Sequence, residues 1–393
     1  MQSGAAINPP ATRPARARRP RKVSALQRLR RIALAASLVM LLPAAVSYVH
    51  TMSEPSNSAL GVRSVEWLRD HGAAGLVAKI ESIYYSLTAP SKGGPTLRAL
   101  PRVGYAGAGG TASLGRSAPV LSAYRPPPVA PLIHPALPGE GVWRATRPGL
   151  EANPPVLLTT LRDQPEYPRV VAGLAWIDTE RTTLTLDPGR QEPSVELPRG
   201  SMAIPRANRS NLLAAFNSGF KLADSRGGFV LHGHTYASMH NGQGTLVGYS
   251  NGRVDVIDWS DGPSAPSSVS FARQNLPLIV NEGRLNPNLA NGEWGATVGN
   301  AVLVWRSGIG VDSRGNLIYA AANDQTATSL AGILVRAGAV RAMELDINSY
   351  WTSFITYGRP GAEAPTNLLP DMNRSATRYL EPDDRDFFAV YAR

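Results

Sequence analysis

Between Leu330 and Ala337 the apolar residues Leu330, Ile333, Leu334 and Ala337 fall at i, i+3, i+4 and i+7, the stripe of a helix packed on a sheet. Thr326 or Thr328 can cap its start, and Gly338 can take the left-handed position after its end. On either side the pattern changes to short apolar runs. Ala301 to Trp305 is one, ending on Arg306. Gly310-Val311 and Leu317 to Ala322 flank Asp312-Ser313-Arg314-Gly315, which predicts a hairpin. Val340 to Leu345 is a last strand and delivers Asp346 to its C-terminal end. Along it Met343 and Leu345 alternate with Glu344 and Asp346, so two carboxylates point to one side.

Upstream the chain is rich in strand signals. Val156 to Thr160 is a candidate strand, and Val170 to Ile177 and Thr182 to Leu186 flank Asp178-Thr179-Glu180-Arg181 as a hairpin. Arg209 to Phe216 reads as a short helix running into a strand, and Gly228 to His232 as β. Leu246 to Tyr249 and Arg253 to Ile257 flank Asn251-Gly252, a strong hairpin signal; Asn241-Gly242 and Asn291-Gly292 mark further turns. Leu276 to Val280 adds an apolar segment. Many hairpins and few helices predict an α+β fold, with a mixed or largely antiparallel sheet and a few packing helices.

The N-terminal third is organised differently. Ile32 to Val49 is an 18-residue run without charge. That is close to the shortest membrane span, about 17 residues. Nine Lys or Arg and no acids precede it within residues 1–31. This asymmetry predicts a single-pass anchor with a cytoplasmic N-terminus and an extracytoplasmic main domain. The competing reading is a cleaved signal segment with a long basic leader, and Arg30-Arg31 resembles a twin-arginine signal. Residues 50–90 hold a broken helical pattern over Ser64 to Leu87, interrupted at Gly72 and Gly75. It suits a helix near the membrane or, in preference, one docked on the domain. Residues 91–138, with Gly107 to Gly110 and Pro126 to Pro128, read as a linker that holds residues 139–393 away from the bilayer.

Charge changes the picture little. The formal charge is +11, and the nine cations of residues 1–31 leave only +2 for the remainder. The basic balance therefore belongs to the tail, and no nucleic-acid partner is expected. With no cysteine, disulfides, thiolate catalysis and cysteine zinc sites are excluded.

Three blocks resemble the phosphodiester glycosidase family. Arg306-Ser307-Gly308-Ile309-Gly310-Val311-Asp312 is similar to its run R-x-x-(I/V)-G-(I/V)-(D/N). Ala342-Met343-Glu344-Leu345-Asp346-Ile347-Asn348-Ser349 is similar to A-L-N-L-D-G-G-G-S, and Asn217-Ser218-Gly219-Phe220 to N-G-G-F. The blocks keep the family's order, and the resemblance covers about Pro165 to Arg393. Ile347, Asn348 and Ser218 stand where the family has glycines, and Glu344 where it commonly has Asn.

The resemblance implies an extracytoplasmic hydrolase that cleaves a glycosyl-1-phosphodiester bond, with a cell-envelope glycopolymer as substrate class. Such chemistry calls for a cation on the phosphate and two carboxyl groups at the anomeric carbon. Arg306 is the expected phosphate clamp. Asp346 is the first carboxylate, with Glu344 and Glu282 as candidates for the second. Asn217, Gly219, Asn348 and Ser349 are expected substrate contacts, while Tyr350 and Trp351 suit either a sugar face or the core. His232 and His234 share a face if Val230 to Tyr236 is one strand, so a divalent cation is a candidate cofactor. The alternative function is a noncatalytic module of the cell envelope that binds glycan or sugar phosphate.

Overall fold

The computed structural model describes residues 24–104, 124–147, 153–290, 292–295 and 303–393. Most of the basic tail, Gly107 to Gly110, Asn291 and Ala301 lie outside the described residues. The chain divides into two units, Met1–Glu54 and Pro55–Arg393.

Among its described residues the first unit holds one helix, α1 (Ala25–Ser53), started by a capping box between Ser24 and Gln27. At 1.5 Å per residue its 29 residues extend ~43 Å, enough for a bilayer core of about 30 Å. By length and composition it suffices to cross a membrane, a test that an anchor and a signal sequence both meet.

The second unit is α+β, and every strand pairing among the described residues is antiparallel. An eight-stranded sheet places Ala172–Ile177, Leu317–Gln325, Val304–Asp312 and Ala339–Glu344 side by side at its centre. Two five-stranded sheets complete the body. One is centred on Leu212–Asn217, with Phe354–Arg359 and Phe387–Ala392 beside it. The other is centred on Val269–Gln274, with Gly244–Tyr249 and Val254–Asp258 beyond it.

The eight-stranded sheet is covered on both faces, which explains its continuous apolar runs. Leu158, Ile309, Tyr319 and Met343 meet Phe216, Phe354 and Phe388 of the second sheet and Leu246 and Phe271 of the third. Leu157, Leu174, Trp176 and Ile318 point the other way, onto Leu330, Ile333 and Leu334 of a packing helix. That helix is Ala327–Arg336, capped by Thr326 through Ser329, and Gly338 follows it at φ 100°. It sits so close to the sheet that a Cβ on Gly308 would come within 3.1 Å of Leu334 and 3.3 Å of Leu330.

The Asp312–Gly315 hairpin forms as expected: the Asp312 side chain accepts from the N–H groups of Arg314 and Asn316, and Gly315 takes φ 86°. The hairpin across Asp178–Arg181 does not form. Ala172–Ile177 stays in the eight-stranded sheet, whereas Thr182–Asp187 pairs with Phe387–Ala392 in another. Asp178 closes a corner instead, accepting from Glu180 N, Arg181 N and Arg181 Nε, and Arg181 reaches on to the carbonyls of Asn153 and Pro154. The helix expected before Leu212 is a three-residue 3₁₀ turn, Arg206–Asn208.

The described parts of the expected linker lie on the body. Val103, Val129 and Ile133 are buried, and Arg169 donates to the carbonyls of Ser91, Gly93 and Pro95. Pro- and Gly-rich composition here marks extended chain that wraps a surface, because its few apolar residues find pockets to fill.

Truncating Leu330 to Ala removes a fully buried side chain between helix and sheet. We expect it to lower unfolding free energy by about 2–5 kcal/mol, measured by urea denaturation.

Candidate functional site

Asp346 follows the strand Ala339–Glu344 and lines a cleft of about 260 Å³. Its backbone is fixed from several sides. The N–H donates to Ser218 O at 3.1 Å, and the carbonyl accepts from the hydroxyls of Ser307 at 2.7 Å and Thr352 at 3.1 Å. The carboxylate accepts from Arg385 Nη2 at 2.7 Å and from the Asn348 N–H at 2.9 Å. Burial pushes this carboxyl above the usual aspartate range, nearby Glu66 adds to that push, and Arg385 with the Asn348 N–H opposes it only in part.

Arg385 belongs to Asp383-Asp384-Arg385-Asp386, which leads into the strand Phe387–Ala392. This run is a buried charge lattice. Asp383 accepts from Arg378 Nε at 2.7 Å, Arg378 Nη2 at 2.9 Å and the Arg385 N–H at 2.9 Å. Asp386 accepts from Arg273 Nε at 2.8 Å. Arg378 also donates to the Trp351 carbonyl at 2.7 Å, so the lattice positions Trp351, which lines the cleft.

The opposite wall comes from far upstream. Helices α2 (Leu60–Leu68) and α3 (Ala74–Thr88) flank a break at Gly72, φ 86°. The lead-in is pinned to the charge lattice. Ser56 and Ser58 hydroxyls each donate to Asp384 Oδ2 at 2.5 Å, and Asn57 Nδ2 donates to Asp383 Oδ2 at 3.0 Å. Within the cleft Lys221 pairs closely with Glu66 and at 3.3 Å with Asp70, while Arg69 meets Glu66 at 3.1 Å and Glu81 at 2.5 Å. Burial raises the Glu66 carboxyl, but Lys221, Arg385 and Arg69 together outweigh it and hold the group below its ordinary value. The cleft thus contains two carboxyl groups shifted in opposite directions.

The other expected site residues separate into those that face the cleft and those that support it. Arg306 does not face the cleft. It is fully buried, donating to Glu344 Oε1 at 2.5 Å, to Trp294 O at 2.9 Å and to Gln325 O at 3.1 Å. Glu344 is buried with it, and burial raises its carboxyl more than Arg306 lowers it. The two sit diagonally on adjacent strands, since Gly308 pairs with Glu344, and they meet through one contact that leaves Arg306 Nη2 and Glu344 Oε2 buried without a hydrogen-bond partner. Glu282 is exposed at φ 50° in the turn between Val280–Asn281 and Arg284–Leu285, away from the cleft.

Asn217 is a buried junction. It donates to Ser218 O at 2.9 Å and Ser307 Oγ at 3.0 Å, and accepts from the Tyr319 hydroxyl at 2.9 Å and the Ser353 N–H at 3.0 Å. Through Ser307 it fixes the Asp346 backbone. The close approach at Gly219 is taken by Asn275, whose Cγ would lie 3.1 Å from a Cβ there. Asn348 lines the cleft and caps its own turn, accepting the Tyr350 N–H at 2.9 Å. Ser349 turns to α3, where its hydroxyl meets Tyr85.

His232 and His234 are split by a turn, because the expected single strand is two, Phe229–Leu231 and His234–Ala237. Among the described residues no three His, Asp or Glu side chains group as metal ligands. The groups missed by sequence reading are Arg385, Lys221 and Glu66. Arg385 had a signal in the charge run before an apolar strand, and Lys221 in its place just after Asn217–Phe220.

Residues 210–346 match the family model of the phosphodiester glycosidases, so the resemblance drawn from the three blocks holds over that segment. No curated protein matches the chain. Among solved structures, similarity extends to the catalytic domain of zebrafish N-acetylglucosamine-1-phosphodiester alpha-N-acetylglucosaminidase, described as auto-inhibited by its pro-peptide. That match has 12% identity and a TM-score of 0.43, over 64% of this chain and 87% of that one. A hypothetical protein from Synechocystis matches at 14% identity and TM-score 0.34, over 62% and 65% of the two chains. A protein from Burkholderia pseudomallei matches at 11% and 0.35, over 58% and 75%.

Asp383 is held down at about 2, because Arg378 and Arg374 outweigh its burial. A depressed carboxyl stabilises the fold above its unfolded value and loses that contribution as pH falls through the folded one. We therefore expect acid unfolding of the wild type to steepen between about pH 4 and pH 2. Asp383→Asn should remove that step and cost about 3–5 kcal/mol at neutral pH, both read from urea melts across pH.

Proposed function

We propose that the protein hydrolyses glycosyl-1-phosphodiesters, with Asp346 and Glu66 as its two working carboxyl groups. The observation that carries this reading is the placement of Asp346. It is the last residue of the family-matched segment, and it stands in a cleft, buried and raised, beside a fixed guanidinium. Carboxyl groups whose environments drive them apart divide the acid and base roles between them.

Asp346 is the proton donor to the oxygen joining sugar and phosphate. Glu66, kept ionised, takes a proton from the water that attacks the anomeric carbon. The carbon–oxygen bond breaks, and sugar and phosphomonoester leave. Phosphate recognition moves from buried Arg306 to Lys221 and Arg385. At Lys221 the exposed Asp70 gives way to the phosphate at little cost, since an exposed ion pair contributes about 0–1 kcal/mol. Trp351 supplies an aromatic surface beside the reacting carbon.

The apolar helix α1 supports a membrane-anchored, extracytoplasmic placement, and a cell-envelope glycopolymer carrying sugar phosphates is the matching substrate class. The alternative, a noncatalytic sugar-phosphate-binding module, draws on Ile347 and Asn348, which line the cleft where family members carry glycines.

Two outcomes test the reading. On a synthetic sugar-1-phosphodiester, Asp346→Asn and Glu66→Gln should each lower kcat about 100- to 10,000-fold while the protein stays folded. Wild-type-like turnover in Asp346→Asn, or none in the wild type, overturns it. On fractionation, full-length protein is expected to stay with membranes through a high-salt wash, whereas a chain lacking residues 1–54 should be washed off. Release of the full-length chain by a high-salt wash would contradict an anchor.

A further inference from the structure

Helix α3 has two faces with different environments. Ala74, Ala78, Glu81 and Tyr85 line the cleft. Leu76, Ile80, Ile83, Tyr84 and Leu87 are 52–81% exposed. At 3.6 residues per turn these two sets lie on opposite sides of the helix. Leu60, Val65 and Leu68 of α2 extend the exposed set. An apolar surface of this kind on an otherwise well-buried body marks a place of contact.

Charge identifies the partner. Lys79 is exposed beside the apolar stripe, and the one acid of α3, Glu81, is turned to the cleft and bound by Arg69. From Ser82 to Gly139 the sequence contains Lys92, Arg98, Arg102, Arg116 and Arg125 and no Asp or Glu. Exposed apolar side chains with Lys79 at their border match the boundary between headgroups and acyl chains. The stripe also begins only 23 residues after α1 ends, since Ser53 is followed by Leu76 in the next apolar helix but one, and α1 is itself long enough to cross a bilayer.

We propose that the outer face of α3, with Leu60, Val65 and Leu68, is a membrane-docking surface that rests at the lipid headgroup–acyl boundary. Tyr84 has the amphipathic ring suited to that depth. Docking presents one wall of the cleft, through Glu81 and Tyr85, at the bilayer surface. This inference is independent of the hydrolytic reading, because it rests on the far side of the helix.

The absence of native cysteine makes the test direct. Full-length Ile80→Cys is labelled with a nitroxide in bilayers of phosphatidylcholine and phosphatidylglycerol, with Ser250→Cys, in an exposed turn, as the aqueous reference. Power saturation then compares oxygen, which concentrates in lipid, with a water-soluble nickel chelate. Docking predicts several-fold greater relaxation by oxygen than by nickel at position 80, and the reverse at position 250. Leu76→Cys, four residues away on the same face, should repeat the result if Ile80→Cys folds poorly. Nickel access at position 80 equal to that at position 250 overturns the proposal. Spin–spin broadening at position 80 with neither reagent gaining access also overturns it, by identifying a second copy of the chain as the occupant.

Discussion

The ion pair between Arg385 and Asp346 is the constraint around which the site is built. Burial alone would drive the Asp346 carboxyl higher still, and a buried guanidinium without a partner would be more costly again. Together they meet at 2.7 Å, and each is also held through its backbone. Arg385 is fixed because Asp383 accepts its N–H and binds Arg378 and Arg374, while Asp386 binds Arg273. Asp346 is fixed by Ser307, Thr352 and Ser218. The carboxyl is thus held directly by Arg385 and the Asn348 N–H, which line the cleft, and these are held in turn by residues outside its lining.

The same logic separates Glu344 from Asp346. They are two positions apart and share a side, yet Glu344 lies inside the sheet with Arg306 across from it, and Asp346 lies just beyond the strand end. Arg306 and Glu344 still bear on the site indirectly, because the Glu344 carbonyl accepts Asn275 Nδ2 and Asn275 packs on Gly219.

Local features of the fold were legible in the sequence. The Leu330–Ala337 stripe, the Asp312–Gly315 and Asn251-Gly252 turns and the broken α2–α3 pattern each follow from neighbours a few residues apart. Partner choice was not. Thr182–Asp187 looks like the second arm of a hairpin, but its pairing is decided by Phe387–Ala392, some two hundred positions away. The site divides in the same way. Asp346 and Asn348 could be placed in the cleft from their strand-end position and motif. Arg306 could not be distinguished from a ligand-facing arginine, because its burial depends on Trp294 and Gln325. Glu66 carries no motif and gains meaning only where it meets Lys221.

Ser56 and Ser58 bond to Asp384 across 328 and 326 positions of chain, so the first and last parts of this body hold one another. During synthesis the N-terminal segment leaves the ribosome long before its acceptor exists. The cleft therefore cannot be completed before Asp383 and Asp384 have been made, and a product cut short before Asp383 would also lack Phe387–Ala392, the strand that joins Leu212–Asn217 to Thr182–Asp187.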